Sequence, residues 1–96
     1  MLFKLDVVDK KVINQYKDGK CDGVWEHYHP NGKVECTGRY KDGVMVGKWN
    51  YYWDNGTLSA TGRFNQKGEQ TGFWKEYSQT GEMKIINRTK KYLELK

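Results

Sequence analysis

The chain has 96 residues, a net charge of +5, and a mean hydropathy of −0.97, which is too short for two domains and too polar for a membrane-spanning segment. A charged fraction of 30% would suit a disordered chain, but aromatics make up 15% of the residues and large rings can carry a thin core. The basic balance suits an acidic protein surface, a nucleic acid or an anionic membrane, and does not choose among them.

The N-terminal stretch MLFKLDVVDKK has no apolar leader segment. It predicts a strand over Phe3–Val8, a turn at Asp9-Lys10, and a second strand over Lys11–Tyr16. Asn14-Gln15-Tyr16-Lys17-Asp18-Gly19 matches Gly38-Arg39-Tyr40-Lys41-Asp42-Gly43, so residues 1–22 read as a degenerate capping hairpin. Cys21 and Cys36 do not recur with the pattern described next. They read as free thiols, which places the chain in a reducing, cytoplasmic compartment.

From Gly23 a frame recurs three times: GVWEHYHPNG, GKWNYYWDNG and GFWKEYSQTG, with steps of 24 and 25 residues. A fixed period of this size marks a repeat protein. The repeats run over 23–46, 47–71 and 72–96, the last ending in a degenerate strand near Tyr92–Leu95. After each frame comes a second run, which alternates strictly in the first two copies, as in Val34-Glu35-Cys36-Thr37-Gly38-Arg39-Tyr40, and this period of two predicts a half-buried strand. Each repeat is therefore a β-hairpin. The whole reads as an all-β antiparallel meander of stacked hairpins in one elongated, twisted sheet. Gly23, Gly47 and Gly72 are expected to start strands at tight turns. The turns Lys41-Asp42-Gly43 and Asn65-Gln66-Lys67-Gly68 join the repeats, and the extra residue in the second explains the longer step.

The hairpin tips admit two registers. Asn31-Gly32 and Asn55-Gly56 fit a two-residue type I′ turn, but Thr80 in the third copy suits positive φ poorly. A three-residue loop, a type I turn closed by a Gly bulge, fits every copy and is favoured here. It sets Tyr28, Tyr52 and Tyr77 opposite Val34, Leu58 and Met83 as the core face. Trp25, Trp49 and Trp74 then share the other face with Arg39, Arg63 and Arg88. The alternative register pairs each Trp with Gly38, Gly62 or Asn87, as an aromatic cover over bare backbone.

These residues resemble the MORN repeat (membrane occupation and recognition nexus), and in particular the variant MORN family of small bacterial proteins labelled antitoxin-like. The shared pattern is Gly, Trp, paired aromatics and Asn-Gly, followed by Gly-x-aromatic and Asp-Gly, over residues 14–89. The third copy departs from it, with Asn87 and Thr89 in place of the Gly and the aromatic. The resemblance implies an elongated antiparallel sheet, a binding role and no cofactor. The partner it implies is another protein, often a toxin, or a phospholipid head group.

A residue in every copy reads first as scaffold, and an unrepeated residue on an exposed face is the better functional candidate. His27, His29, Tyr51 and Trp53 are unrepeated and, in the alternation, share a face with Trp25 and Trp49. Together with Trp25, Trp49, Trp74, Arg39, Arg63 and Arg88 they form the expected partner-binding set, an aromatic-basic stripe of the kind that anchors protein interfaces. Trp53 and Tyr51 also fit a second small core. His27 and His29 with Cys21 and Cys36 follow no familiar zinc spacing, and no nucleophile elbow or phosphate loop is present. The expectation is a non-enzymatic module, an antitoxin or immunity-type inhibitor of a toxin or enzyme with an acidic surface. Anionic lipid, nucleic acid and a homodimer are the alternative partners.

Overall fold

In the computed structural model, the described residues are 6–8 and 11–89, with side chains described from Ile13 onward. Asp6–Val8 (β1) pairs antiparallel with Lys11–Ile13 (β2) in a two-stranded ribbon. The expected start of β1 at Phe3 and the expected last strand over 92–95 lie outside the described residues. So do Lys90, Lys91 and Lys96. Seven further strands follow in strict sequence order: Gln15–Lys17 (β3), Lys20–Tyr28 (β4), Val34–Lys41 (β5), Val44–Tyr52 (β6), Leu58–Phe64 (β7), Gln70–Tyr77 (β8) and Met83–Asn87 (β9). They form one open antiparallel sheet, and the chain measures 56 × 33 × 20 Å, as a meander of hairpins requires. No helix occurs among the described residues.

The turns follow from the residues. Asp18-Gly19 and Asp42-Gly43 have φ of 53°, 79°, 52° and 82°, which is the double positive-φ signature of type I′. The Asn-Gly tips are different. Gly32 N donates to His29 O at 2.9 Å and His29 N donates to Lys33 O at 2.8 Å, closing a three-residue loop with Gly32 at φ 91°. Trp53–Thr57, Ser78–Glu82 and Asn65–Glu69 close in the same way. Asn31 and Asn55 fit these loops because their Oδ1 atoms accept the amide two residues on, from Lys33 and Thr57.

The tip loop is therefore the expected one, and Tyr28, Tyr52 and Tyr77 do sit opposite Val34, Leu58 and Met83, but this is not the expected core face: Tyr28 and Met83 are exposed and the buried Trp residues lie on the other side. The expected register does not continue along the first two hairpins. Tyr28 pairs with Val34, but His27 pairs with Cys36, so Glu35 is an extra residue in a second bulge. Ser59 plays the same part between Leu58 and Ala60. The shift brings Trp25 opposite Gly38 and Trp49 opposite Gly62, which corrects the sequence-based choice. The third hairpin has no second bulge, and its ladder runs unbroken from Tyr77↔Met83 to Trp74↔Ile86 and Phe73↔Asn87.

Gly23, Gly47 and Gly72 do not start strands. They lie inside β4, β6 and β8 at φ of 88°, 72° and 74°. Around Gly47 and Gly72 the ladder slips by two residues, from Thr37↔Asn50 to Arg39↔Val46 and from Thr61↔Lys75 to Arg63↔Thr71. Only glycine adopts this backbone at low cost, and the kink turns the following Trp onto the preceding hairpin.

The core is correspondingly thin. The buried hydrophobic residues among those described are Ile13, Trp25, Cys36, Trp49 and Trp74.

Candidate functional site

Each Trp of the frame closes against the strand before it. The Trp49 ring lies on Gly38 and the Trp74 ring lies on Gly62, so closely that a methyl group at either glycine would fall inside the indole. The indole N–H then donates to the next carbonyl along: Trp49 to Arg39 O at 3.1 Å and Trp74 to Arg63 O at 3.2 Å. Trp25 donates to Gln15 O at 2.9 Å, and the position before it is Asn14 at φ 58°. Asn is among the few residues that tolerate this conformation, and its Oδ1 accepts Glu26 N at 2.7 Å.

The rings run on without a break. Tyr16, Trp25, Tyr40, Trp49, Phe64 and Trp74 meet edge to face in turn, with centroids 5.2–6.3 Å apart and planes 80–86° apart. That geometry sets the positive ring edge against the negative face. His27 stacks near Trp49 at 6.4 Å and shares a 3.1 Å hydrogen bond with Tyr40 Oη, while Tyr51 bridges Trp49 and Trp74 at 6.4 and 6.1 Å. Burial pushes the Cys36 thiol up to about 11, with Glu35 adding to the effect. Burial likewise pushes the Tyr51 phenol up to about 12, with Cys36 and Tyr40 adding to it, and raises Tyr40. These groups are neutral at physiological pH.

The expected aromatic-basic stripe does not form. Trp25, His27, Trp49, Tyr51 and Trp74 share the aromatic face, but Arg39 pairs with Val24 and Val46, and Arg63 with Lys48 and Thr71, on the outer face. The bulges at Glu35 and Ser59 cause this separation. Arg88 stays on the aromatic side, where it is held by Glu76 at 3.0 Å. His29 and Trp53 sit at the tips and tie each hairpin to the next: His29 Nε2 donates to Tyr52 O at 2.8 Å and Trp53 Nε1 donates to Tyr77 O at 3.1 Å. His27 and Cys36 are direct cross-strand partners. No group of three or more His, Cys, Asp or Glu able to hold a metal ion occurs among the described residues.

The outer face has a different character. Lys48 stands directly opposite Arg63, with Arg39 on the strand before and Lys75 on the strand after. All four are exposed. At the β8–β9 end lie Phe73, Ile85 and Met83, at 71%, 56% and 49% exposure. Ile85 reaches this face because the third hairpin lacks the second bulge. Its counterparts Cys36 and Ala60 pair with His27 and Tyr51 on the aromatic face, whereas Ile85 pairs with Lys75.

Residues 22–42 and 45–66 match the model of the MORN repeat variant family. The two segments are the β4–β5 and β6–β7 hairpins, where the Trp-on-Gly closure and the second bulge both occur. MORN repeats are in general binding modules, and the match covers two of the hairpins. No curated protein and no solved structure matches the chain.

The outer-face apolar group carried little sequence signal, because Phe73, Ile85 and Met83 read equally well as core. The departure of the third copy from the frame at Asn87 and Thr89 was the available clue.

Proposed function

We propose that this chain is a non-enzymatic protein-binding module, a small inhibitor of the antitoxin or immunity type that neutralises a partner protein in the cytoplasm. The observation that carries the reading is the exposed apolar group Phe73, Ile85 and Met83 beside the exposed cations Arg39, Lys48, Arg63 and Lys75 on the outer face. The other face is occupied by its own aromatic core. Exposed aromatic and aliphatic anchors next to Arg are the composition of protein interfaces, and the basic charge speeds encounter with an acidic partner. The two free thiols, one of them buried, fit a reducing compartment. The test is capture of partners on the tagged chain from its native host at low and moderate salt. A single stoichiometric protein whose activity the chain suppresses supports the reading, and the absence of any protein partner refutes it.

A second reading, docking on an anionic phospholipid surface, is favoured by the same cations and by the binding habits of MORN repeats. Sedimentation with phosphatidylserine vesicles but not with neutral ones would support it.

A further inference from the structure

We propose that the outer face is a docking groove for an extended acidic segment of the partner that also carries an aliphatic side chain. Arg39, Lys48, Arg63 and Lys75 receive the carboxylates, and Phe73 with Ile85 receives the aliphatic anchor. The inference rests on the protein-binding reading above and assigns it a face and a partner chemistry.

Three observations point to this groove. First, Lys48 and Arg63 are direct cross-strand neighbours, and like charges directly opposite destabilise a sheet. Neither belongs to the ion pair Arg88–Glu76, which lies on the aromatic side. An incoming carboxylate row removes that repulsion. Second, two shallow clefts meet on this face and share Lys48 and Arg63; Arg39 flanks one, and Phe73 and Lys75 flank the other. The four cations thus follow one another over four adjacent strands, β5 to β8. With strands about 4.8 Å apart, the row spans roughly 14 Å, the reach of a short extended segment. Third, the apolar group adjoins the cations directly, since Ile85 pairs with Lys75.

A nucleic acid fits this surface less well. Single-strand binding stacks successive bases on several exposed rings, and among the described residues Phe73 is the one ring that lines the two clefts.

The test is fluorescence anisotropy at low salt with a labelled peptide of alternating Glu and Leu. Polyglutamate of the same length, a dT oligonucleotide and phosphatidylserine vesicles serve as comparators. The expected result is preferential binding of the Glu-Leu peptide, weakened about tenfold in Lys48→Glu/Arg63→Glu. Lys17→Glu/Lys67→Glu, which changes net charge equally at two exposed positions outside the row, is expected to bind nearly as the parent does. Phe73→Ser abolishes the preference for the Glu-Leu peptide over polyglutamate. No binding of the peptide, equal losses in the two double variants, or stronger binding of the oligonucleotide or vesicles overturns the proposal. A native-host protein captured equally by the parent and by Lys48→Glu/Arg63→Glu also overturns this groove, while leaving the protein-binding reading intact.

Discussion

Replacing Gly62 by Ala adds a single methyl group and tests the closure on which each hairpin depends. In an ordinary strand interior the change stabilises by roughly 0.5–1 kcal/mol, because Ala loses less backbone entropy than Gly. Gly62 has no positive-φ backbone to forbid the substitution. The obstacle is the Trp74 ring, which occupies the space the methyl group would take. Trp74 is 2% exposed and its N–H is bonded to Arg63 O, so the ring has little room to retreat. If the ring swings out, the loss of burial reaches about 4–6 kcal/mol as an upper limit, plus about 1 kcal/mol for the hydrogen bond. If the strands part instead, overpacking costs about 1–3 kcal/mol. The chain takes the cheaper route, so after the entropy gain the net loss is about 1 kcal/mol, or roughly 4–8 °C in Tm for a chain of this size. Urea unfolding followed by tryptophan fluorescence measures it. A neutral or stabilising Gly62→Ala would refute the ring-on-glycine closure, because it would return only the backbone entropy term.

Trp53→Ala removes the tie to Tyr77 O and a half-buried ring, so a stability loss of about 2 kcal/mol is expected with partner binding retained. Partner binding lost at unchanged stability would return Trp53 to the interface. Stability is also expected to depend on pH. Cys36 is raised from 9.0 to about 11, and Tyr51 from 10.0 to about 12. The folded state holds these protons more tightly than the unfolded one, so their contribution is fully present below pH 9 and is lost as pH rises through 11 and 12. The urea midpoint should fall across that window and fall less steeply in Tyr51→Phe; a midpoint that holds steady from pH 9 to 12 would contradict the burial of both groups.

The repeat itself was legible because Trp, Gly and Asn-Gly each answer a backbone need that recurs at a fixed spacing. The tip loop was legible for the same reason: Thr80 in the third copy excluded type I′, and the hydrogen bonds at Gly32, Gly56 and Gly81 agree. The bulges at Glu35 and Ser59 were not legible. A bulge of this kind needs no particular side chain, and the run from Val34 to Tyr40 alternates cleanly whether or not one residue is extra. A one-residue slip moves every later side chain to the other face, so one unseen bulge separated Arg39 and Arg63 from the Trp residues. Gly38 and Gly62 were the trace it left, as bare backbone waiting for a ring. Arg39 and Arg63 were thus misassigned by face, and the apolar group around Phe73 follows from a third hairpin that runs straight.

The most direct test of the two-faced account is lysine acetylation footprinting of the chain alone and in complex with its captured partner. Lys48 and Lys75 are predicted to lose reactivity on binding, while Lys17 and Lys67 keep theirs. Protection confined to Lys17 and Lys67, with Lys48 and Lys75 unchanged, would contradict the assignment of the outer face as the binding surface.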